Sequence, residues 1–350
     1  MIGIEVLGAS VFGPLSLADG PLSLADGPLW NLPLVDLWYV VIFLTLAMFL
    51  WLDGTNLGIG VLFGLIGDEE VRESMLAAVA PLWDGAEVWL IVFGGALFAV
   101  FPDVYAGLFS GYYLLMFAIL GALIVRGIAP EFREQRHDER WHRLWGRLFV
   151  LGSVLAPFLL GVFAGNWLVG ATASVSVPGL VVGLALVALV SVEGAAFIGM
   201  KLPQGLSPEL ERYGTGAQVA YLVLAVVAVG YLYLFVESMG GAIVSVGPIA
   251  IVVLTAVLGV GYIGLLRRGQ HLYAFIVSAL QTFGLVALVG LLRYPVIYPP
   301  ERLTVAEAAV SPLQLNVMTI VLAIFLPLVL LYFAVLYSAF SGPIQPGEGY

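Results

Sequence analysis

The segment Trp83-Asp84-Gly85-Ala86-Glu87-Val88-Trp89 sets two carboxylates and two tryptophans into a stretch that is otherwise apolar from Met75 to Phe101. An acid inside a spanning helix costs about 3 kcal/mol on insertion scales, so it is usually kept where it faces protein, water or a proton path. Asp84 and Glu87 stand three residues apart and share one helix face, with Trp83 one turn below Glu87. The pair follows Pro81 near a helix end that water can reach, and proton entry is the chemistry that fits. Bonding of both acids to tryptophan indoles or to another subunit is the alternative.

Asp53 lies in Leu52-Asp53-Gly54-Thr55-Asn56-Leu57-Gly58-Ile59-Gly60, about 24 Å along a helix that begins at Leu37. Gly54 and Gly58 form a small-xxx-small pair that admits another helix closely, and Asp53 and Asn56 can turn one face toward that neighbour. A satisfied interhelical hydrogen bond and a proton-accessible carboxyl both fit this spacing. Glu193, in Ser191-Val192-Glu193-Gly194-Ala195, is a further buried acid with no basic partner in its own helix; it is either inert or part of a proton route. Asn166, Glu237, Gln281 and Asn316 read as helix-end or packing groups, and Gly94-Gly95 as close helix packing.

The elements that must position these groups follow from composition. The 350 residues are 61% hydrophobic and 10% charged, with a mean hydropathy of +1.07, which makes the chain a polytopic membrane protein. Apolar runs of spanning length fall at 37–65, 75–101, 104–125, 147–170, 177–200, 218–236, 242–266, 272–292 and 315–339, giving nine helices. With the N-terminus outside, eleven of the thirteen basic residues fall in or beside cytoplasmic loops, leaving Arg293 and Arg302 outside, so the C-terminus lies inside.

This divides the chain into an extracytoplasmic tail, 1–36, a transmembrane domain, 37–340, and a cytoplasmic tail, 341–350. The first tail repeats Pro-Leu-Ser-Leu-Ala-Asp-Gly at 14–20 and 21–27 and has no basic signal-peptide start, so it reads as retained. The mixed-charge segment from Arg126 to Arg147 is expected to lie along the membrane surface, and the proline-rich stretch from Tyr294 to Pro312 to cover the outer face.

Zero cysteines exclude disulfides, thiolate catalysis, iron–sulfur clusters and cysteine-ligated metal. His137, His142 and His271 are placed in loops, and Met75, Met116, Met200 and Met318 are scattered, so no bound metal is expected. Phosphate and dinucleotide loops are absent, and the net charge of −10, with alternating signs in the basic loop, argues against a nucleic-acid partner.

At these residues the chain resembles subunit II of the cytochrome bd family of quinol oxidases, which includes the cyanide-insensitive oxidases. The likeness runs through Asp53-Gly54 with Leu57-Gly58-Ile59-Gly60 and then Ala80-Pro81-x-Trp83-Asp84-Gly85-x-Glu87-Val88-Trp89-Leu90. It continues in Gly94-Gly95-Ala96-Leu97-Phe98-Ala99-x-Phe101-Pro102-x-x-Tyr105-Ala106, Arg126-Gly127, Glu131-Phe132-Arg133 and Gln314-Leu315-Asn316-Val317-Met318-Thr319. The resemblance covers roughly residues 37–340.

The resemblance implies an all-α fold of two four-helix bundles and one peripheral helix, in a cell-membrane oxidase that reduces oxygen with quinol. It implies a heterodimer with a subunit I that carries haem b and haem d and the quinol-oxidising loop, among membrane lipids and with room for small accessory subunits. This chain itself would hold no haem, and a bound quinone is the one cofactor that some members suggest for it. Carried over, Asp84 matches the acid of the proton channel from the cytoplasm, Asp53 an acid of the first helix, and Glu87, Trp83 and Trp89 the same motif, while Arg126 would sit at the inner helix end. Ala86 stands where the family usually has Asn, Asn56 where it often has Asp, and Glu193 where an amide or histidine is common. Without the resemblance, the buried acids would suggest a proton-coupled secondary transporter; a purely structural oxidase subunit is the third reading.

Overall fold

Thirteen helices and one small hairpin are found in a computed structural model that describes residues 27–81, 83–171, 175–202 and 207–339. The helices are α1 (Leu34–Phe63), α2 (Glu69–Val79), α3 (Trp83–Val100), α4 (Pro102–Gly111), α5 (Tyr113–Glu134), α6 (Glu139–Val169) and α7 (Val177–Lys201). They continue with α8 (Pro208–Phe235), α9 (Glu237–Ile243), α10 (Val246–Arg267), α11 (His271–Arg293), α12 (Val305–Ala308) and α13 (Pro312–Ala339). Most of the two tails expected at the ends, including most of the tandem heptamer, and the Trp83 side chain lie outside the described residues.

Among the described residues, eight helices are long and apolar enough to cross a membrane. A ninth crossing is made only if α2 and α3 count together, because they meet at an angle of 49°. The single helix expected from Met75 to Phe101 is therefore broken at Ala80 to Leu82. Pro81 accounts for the break, since it lacks an N–H and clashes with the preceding turn. The helix expected from Val104 to Val125 is likewise two, α4 and α5, separated at Tyr112.

The segment 126–147 is not a surface loop. Helix α5 runs on to Glu134 and α6 begins at Glu139, capped by the Asp138 carboxylate on the Trp141 N–H, so only four residues connect them. At this end Arg133 holds Glu69 and Glu73 of α2 at 2.7 and 2.6 Å. His142 and His271 sit in the first turns of α6 and α11, and only His137 is in a loop. The His271 ring rests against Gly199, where a Cβ would lie 2.6 Å from Nδ1.

Helix α7 is the most enclosed, with 78% of its apolar stretch buried, while α13 is the least, at 6%. Glycines set the crossings around α7. A Cβ at Gly161 would lie 2.6 Å from Gly183 Cα, and one at Gly165 2.7 Å from Gly179 Cα, so α6 and α7 meet backbone to backbone. Gly58 and Gly194 do the same for α1 and α7, as the spacing of Gly54 and Gly58 led one to expect. Gly94 and Gly95 mark no close helix contact among the described residues: a Cβ added at either would meet nothing within 4 Å. The buried stripe of α3 runs through Ala86, Trp89, Leu97 and Val100, which turns Gly95 outward.

The other end is closed by the segment from Tyr294 to Pro312, which is folded rather than extended. Strands β1 (Val296–Tyr298) and β2 (Leu303–Thr304) pair antiparallel, and α12 follows with a complete capping box between Thr304 and Glu307. The Val310 N–H donates to Val100 O, and Trp167 Nε1 donates to Ile297 O at 2.9 Å, tying this cover to α3 and α6. Trp38 Nε1 donates to Thr319 Oγ1 at 2.9 Å, joining α1 to α13.

Candidate functional site

Asp53 sits in the twentieth residue of α1, fully buried. Its Oδ1 accepts a hydrogen bond from Arg126 Nη2 on α5 and another, at 3.4 Å, from Asn56 Nδ2 one turn along α1. Asp53 and Asn56 thus share a face, but it meets Arg126 of α5 and not α7, the neighbour that Gly54 and Gly58 admit, because the glycines lie on another side of α1. Arg126 is 1% exposed, well inside α5 rather than at its end as expected. Gly152 on α6 makes room for it, since a Cβ there would lie 2.7 Å from the Arg126 N.

The same guanidinium reaches a second acid. Arg126 Nη1 lies 3.2 Å from Glu87 Oε1 on α3, close enough for an ion pair though not aligned as a hydrogen bond. The Glu87 side chain is 30% exposed, and Asp84, one turn earlier, is exposed. The three acids therefore descend from an open surface at Asp84, through half-buried Glu87, to enclosed Asp53, with Arg126 bridging the inner two. Asp53 Oδ2 and Arg126 Nε are buried without a hydrogen-bond partner, so the cluster retains polar capacity that its own groups do not use.

Burying a guanidinium is costly unless it is paired and hydrogen-bonded. Two carboxyls around one guanidinium leave one negative charge in excess when both are ionised, and a proton shared between them restores neutrality. Ala86 and Trp89 on α3 are buried behind the cluster, and Trp89 packs on Phe333 of α13 at 5.6 Å between ring centroids. Glu193 is not part of this cluster. It is buried on α7, where Thr282 of α11 donates to its Oε1, and Gly54 lies on the other side. Arg126 and Thr282 were not among the residues expected at the site. Four uncharged residues, Gly127 to Pro130, separate Arg126 from Glu131 and set it one turn inside the apolar run.

A groove of 350 Å³ lies between α1 and α11, toward the covered end. Its walls are Tyr39, Phe43, Phe283 and Val286, and its mouth carries Asp36 and Tyr294. Tyr39 Oη donates to Gly290 O at 2.7 Å, and Tyr294 Oη to Asp36 Oδ1 at 3.1 Å. Among the described residues, no three histidine or acidic side chains converge as they would to hold a metal ion.

The cytochrome bd terminal oxidase subunit II family matches residues 34–340. The chain belongs to that family. It is 30% identical over 360 residues to cytochrome bd-I ubiquinol oxidase subunit 2 of Escherichia coli (strain K12), covering 88% of this chain and 94% of that one. Over 128 residues it is 38% identical to cytochrome bd ubiquinol oxidase subunit 2 of Bacillus subtilis (strain 168), 36% of this chain and 38% of that one. Its fold matches a chain of the bd oxidase from Geobacillus thermodenitrificans with a TM-score of 0.71 at 16% identity, over 88% of this chain and 99% of the other. This cytochrome bd subunit II is thus a multi-pass membrane protein and one subunit of a quinol oxidase, an oxidoreductase, which implies a subunit I partner.

Proposed function

We propose that this chain supports a haem-bearing subunit I and conducts protons toward it, entering at Asp84 and passing by Glu87 to the Asp53–Arg126 pair. The observation that carries this reading is the graded burial of three acids along one guanidinium, from exposed Asp84 to fully buried Asp53. Such a series lets a proton move between carboxyls without leaving a charge unpaired in the interior. Trp89, Asn56, Gly54 and Gly58 position the acids, and Trp83 belongs to the same motif.

The chain's own residues fit a haem-free role. His142 and His271 stand in the first turns of α6 and α11 and His137 in the exposed connection before α6, so none lies mid-span. Haem b and haem d then belong to the partner and supply the oxygen chemistry there. The groove between α1 and α11 fits a quinone ring or tail, with Tyr39, Tyr294 and Asp36 at its polar mouth. Lipids and small accessory subunits are the remaining proposed partners.

The packing supports two groups of four, α1, α3, α5 and α6 beside α7, α8, α10 and α11, with α13 peripheral. The orientation we propose puts the N-terminus outside and the C-terminus inside. In support, Arg133, Arg136, Arg140 and Arg143 gather at the end opposite the cover.

Asp84→Asn in the intact oxidase tests the reading, because it keeps size while removing titration. Loss of turnover with normal haem content is expected. Full turnover overturns the proton role, and loss of haem moves Asp84 to a structural one.

A further inference from the structure

The four acids read as candidates for proton transfer fall into two sites on opposite sides of α1. Asp53 faces Arg126, whereas the next residue, Gly54, faces Glu193: a Cβ at Gly54 would lie 2.5 Å from Glu193 Oε2. Glu193 is fully buried, and that Oε2 has no hydrogen-bond partner. The groups around it come from four helices. Gly54 approaches from α1, Thr282 from α11, the Tyr221 phenol from α8 and the Tyr262 phenol from α10. Tyr262 Oη spends its proton on Val192 O at 2.7 Å. Among the described residues no ion pair reaches Glu193, and the nearest acid along α1 is Asp53.

Other buried polar groups of the neighbouring helices α8 and α11 are also left without partners. Gln218, one turn from Tyr221 on α8, is fully buried with neither amide atom hydrogen-bonded, and Gln281 Oε1, beside Thr282, is also without a partner. A lone carboxylate in such a place costs several kcal/mol when ionised and uncompensated, and the smallest compensating charge is a proton. Asp53 Oδ2 and Glu193 Oε2 are thus two buried, unbonded carboxylate oxygens on the two sides of one helical turn. At that turn the Glu193 carboxyl lies against the α1 backbone, in the space that a Cβ at Gly54 would fill.

We propose that Glu193 is a proton-exchanging site supplied from the Asp53–Arg126–Glu87 cluster across the turn of α1 on which Asp53 and Gly54 stand side by side. The step breaks an O–H bond on the Asp53 side and forms one at Glu193 Oε2, turning carboxylate into carboxyl, and it runs back the same way. This rests on the proton-inlet reading above and extends it into the α7–α8–α10–α11 group.

Infrared difference spectroscopy of the intact oxidase, this chain with its haem-bearing partner, tests it in light and heavy water. The expected result is a carboxyl C=O band that shifts on deuteration, is lost in Glu193→Gln and exchanges more slowly in Asp53→Asn. Thr282→Val, which removes the bond to Oε1, should move the band without abolishing it. Identical carboxyl spectra for the parent and Glu193→Gln overturn the proposal, as does an exchange rate that Asp53→Asn leaves unchanged. A carboxylate band whose position depends on sodium overturns it too, in favour of a bound cation. Failure of the inlet itself reads separately, as full turnover in Asp84→Asn.

Discussion

Gly58 and Val190 touch so closely that a Cβ on the glycine would stand 1.7 Å from the valine carbonyl oxygen. That contact sets the distance between α1 and α7, and through it the position of Asp53 on one side of α1 and Glu193 on the other. Gly58→Ala cannot be absorbed by a rotamer change, because the obstacle is backbone. It should cost at least the 1–3 kcal/mol typical of overpacking, read as a lower thermal midpoint of the purified oxidase and loss of partner haem. An unchanged midpoint would mean that the two helices are free to separate.

Removing Arg126 leaves Asp53 buried without its cation. Arg126→Met should destabilise the subunit by about 3–5 kcal/mol, the usual result of breaking a buried pair on one side. Adding Asp53→Leu should restore most of that stability while leaving turnover abolished. A double variant no more stable than the single would show that the pair contributes nothing beyond its packing.

The capping box of α12 gives the cover a dependence on acidity. The Thr304 hydroxyl and N–H both donate to Glu307 Oε2, at 2.6 and 3.0 Å, and these bonds hold the Glu307 carboxyl below the usual glutamate range. A depressed value in the folded state means that the stabilisation is present above the ordinary glutamate value and is lost as pH falls through the lowered one. The protection of the Thr304 and Glu307 amides against hydrogen exchange, taken relative to the intrinsic rate at each pH, should therefore fall at the acid end of that interval. Glu307→Gln should flatten the response, and a flat parent profile would rule the mechanism out.

Asn316 bonds the backbone on both sides of Pro28: its Oδ1 accepts from the Leu29 N–H at 2.9 Å, and its Nδ2 donates to Gly27 O at 2.8 Å. Asn316→Ala strands a buried N–H and should cost about 1–3 kcal/mol. Limited proteolysis near residues 27–31 reports it directly, and unaltered cleavage would dismiss the clamp.

Much of this arrangement is legible in the residues themselves. The glycine spacing at 54 and 58 foretells the α1–α7 crossing, because no other residue type permits it. The apolar runs at 37–65, 177–200, 272–292 and 315–339 give their helices within three residues, whereas α6 and α8 begin at Glu139 and Pro208, well before the runs at 147 and 218, because their polar first turns carry no hydropathy signal. Gly94-Gly95 misleads, since a glycine pair shows that close approach is permitted but not which way the helix turns. Arg126 is misread as a boundary because a lone arginine beside a charged stretch looks like the end of a span; only the acids on two other helices reveal its place. The break before α3 is marked by Pro81, yet hydropathy alone runs straight across it. Thr282, a small hydroxyl in an apolar run, carries no signal that it meets Glu193, 89 residues away.

The bond between Leu29 and Asn316 joins positions 287 residues apart. During synthesis the earlier partner waits, with its amide unclaimed, until almost the whole chain has left the ribosome. Helix α1 can enter the bilayer and meet α7 and α11 long before, but the bonds from Trp38 and Leu29 at its covered end form only when α13 arrives. The arrival of α13 is therefore recorded at the covered end, where a protease would find the segment around Leu29 unclamped in any chain truncated before that helix.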